Sequence, residues 1–351
     1  MKKVLVCALD WGLGHATRCI PVIREFQRLG CEIWLASSGG ALQLLRLEFP
    51  ALAFIDLPPY RPEYSTKNAM VLKLLAQFPK FVRAIHAEHK LIEKIVLKHS
   101  IDIVVSDNRY GCFSHAAKCI FITHQVRLLM PSGFAWASTF VNSLLQGYIK
   151  KYEEVWVPDT PGSALTQPFI PEDFPNLKFI GWLSRFGNMG VVEQKYEILA
   201  LVSGPEPQRT IFENLLTVQL SASGRKSLLV AGEPGKAFHR QMGCLEVVNH
   251  LPAKELEEAI LSSGLVICRS GYSTIMDLIA LGKRAVLVPT PRQPEQIFFA
   301  DYFNANKVAL CANQQGFSLN TVLEKSEQFT GLSYYKPGTK YLQEAVEAVI
   351  A

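Results

Sequence analysis

A chain of 351 residues, 49% of them hydrophobic, can bury substantial cores and is most naturally organised as two domains. Its formal charge of +5 is mildly basic, without the helix-turn-helix pattern or the aromatic-interleaved cationic cluster of a nucleic-acid binder, so nucleic acid is excluded and an anionic small ligand or a membrane surface is favoured. Eight cysteines, at 7, 19, 31, 112, 119, 244, 268 and 311, show no CxxC pair and read as reduced core thiols of a cytoplasmic protein.

The N-terminus carries a basic pair and an apolar run too short for a signal peptide and without a cleavage site, so it reads as a first strand, Lys3–Leu9. Further strands are expected at Glu32–Ala36, Ala53–Leu57, Ile101–Ser106, Cys119–Thr123 and Glu154–Val157. Helices are expected at Thr17–Leu29, Gly40–Glu48, Leu72–His99 and Phe134–Lys151. The apolar stretch Leu128 to Ile149 is interrupted by Pro131, Gly133, Asn142, Gln146 and Gly147, which excludes a membrane-spanning helix. The polar segments Gln167–Asn176 and Arg185–Gly190 place a domain boundary near 183–192. Beyond it, strands are expected at Tyr196–Val202, Lys226–Ala231, Leu245–Val248, Gly264–Cys268, Arg284–Pro289 and Val308–Cys311. Helices are expected at Gln208–Ser221, Ala253–Ser263, Ser273–Leu281 and Gln293–Asn306, with an amphipathic tail over Tyr335–Ala351. Short apolar strands alternating with helices in both halves predict an α/β chain with two Rossmann-like parallel sheets.

Four segments carry chemistry. In Leu9-Asp-Trp-Gly-Leu-Gly-His-Ala-Thr-Arg18 a strand ends at Asp10, Gly12 and Gly14 permit a turn, and His15 stands near a helix N-terminus, which disfavours the imidazolium. His15 is either a base or a helix cap, and the position of a third fingerprint glycine is Thr17. Asp107, directly after a buried strand, either orients His15 as a triad acid does or caps the next loop. In Leu201-Val-Ser-Gly-Pro-Glu-Pro-Gln-Arg209 the amides near Ser203 and Gly204 suit a pyrophosphate, with Arg209 adding charge.

The richest segment is Cys268-Arg-Ser-Gly-Tyr-Ser-Thr-Ile-Met-Asp277, followed by Val288-Pro-Thr-Pro-Arg-Gln-Pro-Glu-Gln296. Here a glycine turn at Gly271 leads into a helix opening on Ser273 and Thr274, which offers amides and hydroxyls to a phosphate. Asp277 is placed to grip a ribose diol, and Glu295 and Gln296 to bond sugar hydroxyls. Between Thr66 and His99, seven Lys/Arg (67, 73, 80, 83, 90, 94, 98) against Glu88 and Glu93 interleave with apolar residues, the pattern of either a solvated face or a surface for anionic membrane.

These segments, in this order, resemble the GT-B glycosyltransferases, specifically the branch of the peptidoglycan lipid-intermediate N-acetylglucosaminyltransferase and its relatives. The likeness is sharpest at Cys268-Arg269-Ser270-Gly271 followed by Thr274 and the acid at Asp277, then the Val288-Pro289 segment and Gln296, and extends to the Gly14-His15 loop, which related UDP-sugar hydrolases share. It implies a C-terminal nucleotide-sugar domain over 184–334, an acceptor-side domain over 1–183 across a cleft, and a C-terminal helix, 335–351, crossing back to the first domain. It further implies that the base is held by backbone amides at His250 and Leu251. The second member of the family's sugar-binding glutamine pair is Ile297 here, the following Asn-Ala reads Ala300-Asp301, and Asp277 replaces the commoner glutamate.

The expected activity is an inverting, metal-independent sugar transfer from a UDP-sugar, with no cofactor. His15 is the expected base, Asp107 its orienting acid, and Asp10 the alternative base. Ser270, Ser273, Arg209 and the amides at Gly204 and Gly271 would stabilise the leaving diphosphate. A UDP-sugar hydrolase, a nucleotide-sugar 2-epimerase and a non-catalytic nucleotide-binding protein are the alternatives. The acceptor is open, with a lipid-linked acceptor at the inner face of the membrane favoured by segment 66–99.

Overall fold

The computed structural model describes residues 1–60, 77–129, 135–171, 173–187, 190, 192–233, 238–334 and 339–351. It divides into two compact units, Met1–Leu183 with Gly338–Ala351, and Ser184–Pro337.

The first unit holds strands β1 (Lys3–Ala8), β2 (Glu32–Ser37), β3 (Ala53–Asp56), β4 (Ile103–Asp107), β5 (Lys118–Ile122), β6 (Glu154–Val157) and β7 (Leu177–Phe179). They pair in parallel in the order β3-β2-β1-β4-β5-β6-β7. Helices α1 (Gly14–Arg28), α2 (Gly39–Glu48), α3 (Phe78–His99) and α4 (Ala135–Ile149) lie between the strands in sequence. The central strands are apolar runs because a parallel sheet covered by helices buries both of its faces, and Val4 to Ala8 and Ile103 to Val105 are buried.

The second unit repeats this plan with β8 (Tyr196–Leu201), α5 (Gln208–Ala222), β9 (Ser227–Val230), β10 (His239–Met242), β11 (Leu245–Val248), α6 (Ala253–Leu261), β12 (Ser263–Cys268), α7 (Tyr272–Ala280), β13 (Ala285–Leu287), α8 (Pro294–Ala305), β14 (Leu310–Cys311) and α9 (Leu319–Ser326). Its order is β10-β11-β9-β8-β12-β13-β14, parallel except at the edge strand β10. The last helix, α10 (Thr339–Ile350), belongs to the first unit, where Arg28 of α1 donates to Glu347 at 3.1 Å. In both sheets the winding reverses at the first strand, between β1 and β4 and between β8 and β12.

Most expected strands form within one or two residues of the sequence reading. Helix α1 begins three residues earlier than expected, at Gly14, so His15 lies in its first turn. Strands β7 and β10 and helix α9 were not expected. All four residues of β10 are exposed, so no apolar alternation marks it. The expected helical residues Leu72 to Ala76 and Phe134, part of the basic segment, and the first residues of the tail lie outside the described residues. Within those described, no helix is long and apolar enough to cross a membrane. All eight cysteines are unpaired, five of them buried.

A buried ion pair clasps α3 to the C-terminal edge of the first sheet. Arg109 Nε donates to Glu88 Oε1 at 2.6 Å, while Glu88 Oε2 accepts from the Tyr60 hydroxyl at 2.7 Å and the Gly111 amide at 3.0 Å. The Arg109 guanidinium also donates to the carbonyls of Pro58 at 2.7 Å, after β3, and Ala8 at 3.3 Å, ending β1. Gly111 is needed for this approach, since a Cβ there would lie 2.3 Å from the Ile85 carbonyl oxygen. Removing one partner of a buried pair leaves the other charge uncompensated. Glu88→Ala should therefore lower the free energy of unfolding by about 3–5 kcal/mol in urea titration. A loss under about 1 kcal/mol would show that the clasp does not hold this edge.

Candidate functional site

The register of β1 against β4 sets Ala8 opposite Asp107, and the Leu9 amide donates to the Asp107 carbonyl at 3.1 Å. The chain therefore leaves β1 beside the Asp107 carboxylate, turns through Gly12 and enters α1 with no side-chain cap, aiming His15 back at the strand end. His15 Nδ1 lies 2.7 Å from Asp107 Oδ1. Asp107 also accepts from Arg18 at both oxygens, from Nε at Oδ2 and from NH2 at Oδ1, the latter at 2.5 Å. Arg18 in turn donates from NH1 to His124 Nδ1 at 3.0 Å, just beyond the end of β5.

These contacts assign the tautomers. Asp107 is the nearer partner of His15 Nδ1, at 2.7 Å against 3.0 Å for Arg18 NH2, and a carboxylate only accepts, so the proton is assigned to Nδ1 and the lone pair to Nε2. A guanidinium only donates, so His124 Nδ1 accepts and its proton is on Nε2. Burial alone would raise the Asp107 carboxyl, but Arg18 and then His15 more than offset it and hold it below its ordinary value. Asp107 and Arg18 are sealed, whereas 18% of the His15 side chain is exposed. This arrangement can take a proton from a hydroxyl at Nε2 and hold the resulting imidazolium against a carboxylate. Asp10, the alternative base, lies after β1 with Oδ1 lacking a hydrogen-bond partner among the described residues.

In the second unit, Leu201 of β8 pairs with Cys268 of β12, so the loops carrying Ser203–Gly204 and Arg269–Gly271 leave the sheet side by side. Gly204 has a φ of +115°, a conformation that side chains disfavour, and both Ser203 and Gly204 are exposed. Helix α7 starts at Tyr272 with Gly271 as its cap residue and no side-chain cap. Its first amides are therefore without intrahelical partners and face the same edge. Asp277, one turn further on, accepts from the Ser184 hydroxyl at 2.7 Å and lies 3.8 Å from Arg185 Nε. His250 is half-buried, and desolvation followed by the nearby Arg185 charge lowers its pKa.

Residues 237–337 match the glycosyltransferase family 28 C-terminal domain. An uncharacterized glycosyltransferase of Methanopyrus kandleri is 22% identical over 324 residues, 87% of this chain and 90% of its own length. The UDP-N-acetylglucosamine–N-acetylmuramyl-(pentapeptide) pyrophosphoryl-undecaprenol N-acetylglucosamine transferase of Glaesserella parasuis is 25% identical over 341 residues, covering 93% and 89% of the two chains. The crystal structure of the glycotransferase of kitacinnamycin shares the fold at a TM-score of 0.65 and 14% identity, over 99% of this chain and 98% of that one. The chain is a glycosyltransferase with the GT-B fold.

Several donor-side expectations need restating for this glycosyltransferase. Arg209 is not a spare cation: it pairs with Glu206 at 2.6 Å, Glu213 at 2.7 Å and Glu233 at 3.1 Å, so its charge is compensated. Arg269 is buried over the Phe212 ring, 4.0 Å from its centroid, and bonds the Val288, Pro289 and Gln208 carbonyls, so it braces the loop after β13 and the start of α5. Ser270 donates to the Gln296 carbonyl at 2.7 Å, and Gln296 Oε1 accepts from the Thr290 amide at 2.7 Å, so both tie α8 to the sheet edge. Gly271 has an ordinary φ of −74° and a Cβ there would meet nothing within 4 Å, so what it provides is open space. Tyr272 is buried against Phe299, while Ser273, Thr274, Glu295 and Leu251 are partly exposed on the same loops and helix starts.

Sequence reasoning missed Arg18, His124, Ser184 and Arg185. Arg18 had a detectable signal: three residues after His15 it shares that helix face, among the buried Ala16, Cys19 and Ile20.

Burial pushes the Asp277 carboxyl up to about 6, against the opposing pull of Arg185 and Ser184. Its folded-state pKa therefore exceeds the ordinary 3.8, and the folded chain holds this proton more tightly than the unfolded one between pH 4 and 6. Stability contributed here is present at low pH and is lost as pH rises through that window. Asp277→Asn should accordingly be more stable than the parent by about 1–3 kcal/mol at pH 7.5, the gain vanishing below pH ~4, in urea titrations at both pH values. A pH-independent difference would contradict the assignment.

Proposed function

We propose that the enzyme transfers a sugar from a UDP-sugar to an acceptor hydroxyl with inversion and without a metal ion. The observation that carries this reading is the His15–Asp107 pair at the reversal of the first sheet, with the Nε2 lone pair at its exposed end. His15 takes the acceptor proton, the freed oxygen attacks the anomeric carbon, and the bond to the diphosphate breaks in the same displacement. One base acting in one displacement inverts the anomeric centre.

In the second unit, the exposed amides at Gly204 and the uncapped start of α7 over Tyr272 to Thr274 suit a diphosphate, and fixed backbone dipoles then do what a divalent cation would otherwise do. Asp277 suits the ribose diol, exchanging its bond to Ser184 for one to the sugar. The backbone at His250 and Leu251 suits the base. The Glaesserella parasuis relative bears UDP-N-acetylglucosamine in its name, which supports a UDP-linked donor.

The same name carries a pyrophosphoryl-undecaprenol acceptor, and the first unit has the surface for a lipid-linked one. On α3 the residues Lys80, Arg83, Lys90, Lys94 and Lys98 are all exposed. Trp136 and Phe140 of α4 are 75% and 66% exposed, and the Phe140 ring lies 6.3 Å from that of Phe78 at the start of α3. Exposed aromatics beside cations fit the interface of an anionic membrane, and we place the enzyme at the cytoplasmic face.

A panel of UDP-sugars incubated with and without lipid extract, read by mass spectrometry, tests the reading. The expected product is a lipid heavier by one sugar, formed only with extract. His15→Ala should reduce its formation by about 10²–10⁴-fold while UDP affinity stays unchanged. Free sugar released without extract would make the chain a hydrolase, and full turnover by the variant would remove His15 as the base.

A further inference from the structure

The Gly14-His15-Ala-Thr-Arg18 motif contains a residue that the reaction outlined above leaves without a role. Arg18 is 2% exposed and lies one turn along α1 from His15. Its guanidinium spans both oxygens of Asp107 on one side and reaches His124 on the other. The four side chains thus form one chain of contacts linking α1 with the ends of β4 and β5, and His15 is its partly exposed end.

We propose that Arg18 is a positioning residue for sugar transfer, holding the Asp107 carboxylate in the orientation that keeps the His15 proton on Nδ1 and the lone pair on Nε2. This rests on the reading of His15 as the base.

A carboxylate turns about its Cβ–Cγ bond and offers several lone-pair directions, so Asp107 alone would not fix which nitrogen of His15 is protonated. A two-point contact from a planar guanidinium fixes the carboxylate plane, which a lysine ammonium, a point charge, cannot do. With Nε and NH2 of Arg18 engaged, Oδ1 meets His15 Nδ1 at 2.7 Å in the plane that the fork imposes. Arg18 NH2 also lies 3.0 Å from that same Nδ1. That approach follows from both nitrogens converging on Oδ1, at 2.5 and 2.7 Å, and while NH2 spends its proton on Oδ1 the ring meets the same oxygen only with Nδ1 protonated. His124, accepting from NH1, holds the other edge of the fork and keeps the guanidinium from rotating out of plane.

The charges support the same role. Arg18 and Asp107 cancel, so the resting cluster with neutral His15 carries no net charge. When the acceptor O–H bond breaks and the Nε2–H bond forms, the cluster becomes a single cation, and the compensating negative charge appears on the departing diphosphate. The proton is not passed to Asp107 or Arg18, both of which keep their resting protonation.

NMR of protein labelled with ¹⁵N-histidine tests this without any substitution. The expected result is His15 in the Nδ1–H form and His124 in the Nε2–H form, and His15 as Nε2–H would overturn the proposal. Arg18→Lys keeps the charge but not the fork. Its His15 should become a mixture of tautomers and its kcat should fall roughly 10²-fold, the scale of a misplaced reacting group, with the KM for the UDP-sugar unchanged. An unchanged near-UV circular dichroism spectrum and unfolding midpoint confirm that the variant is folded. In an Asp107→Asn background the same substitution should cost little more, because residues acting through one partner are not additive. Independent, multiplying losses, or a wild-type kcat in Arg18→Lys, would contradict the role. If His15→Ala is inactive while Arg18→Lys is not, this inference fails alone; if His15→Ala is active, the reading beneath it fails.

Discussion

Where a parallel sheet reverses its winding, two adjacent strands send their following loops in opposite directions, and the gap between those loops is the one place on the edge where helices do not close over it. Both units of this glycosyltransferase are built around such a gap. In the first the register of β1 and β4 puts a carboxylate in it, and in the second the register of β8 and β12 puts a glycine loop and a helix start in it. The chemistry assigned to each unit follows from that difference. A carboxylate with a histidine suits a proton, whereas a helix N-terminus suits an anion.

The two edges are also stiffened differently. The first relies on buried charge, with Arg18 on Asp107 and Arg109 on Glu88 tying α1 and α3 to strand ends. Such pairs are a costly way to gain stability, and an apolar cluster of equal volume serves as well or better. What they supply is direction, since a fork and a carboxylate fix one another's planes. The second edge is tied to backbone groups instead of to carboxylates, with Arg269, Ser270 and Gln296 bonding carbonyls and an amide of the neighbouring segments. Asp277, a buried acid there, has its pKa pushed up to about 6 by burial and is the group whose environment a ribose would change most.

Much of this was legible in the sequence, because burial on both faces of a parallel sheet writes strands as short apolar runs, and glycine turns into helices mark the functional edge. The pairing of His15 with Asp107 was also within reach, since Asp107 ends a buried strand and His15 opens the helix reached from another through a glycine turn. What stayed hidden has a common cause. Strand β10 has no buried face, so it leaves no pattern, and β7 is three half-buried residues after a polar stretch. Arg209 and Arg269 looked available because sequence reveals a cation but not the carboxylates or ring that surround it in three dimensions. Arg18 and Arg185 went unassigned for the converse reason, their partners being 89 and 92 residues away.

The account stands on the division of labour between the two reversals, and a crystal structure with UDP bound tests it most directly. It predicts the diphosphate against the amides of Gly204 and Tyr272 to Thr274, with the ribose on Asp277 in place of the Ser184 hydroxyl. A nucleotide seated instead on the loop from Asp10 to His15 would contradict it.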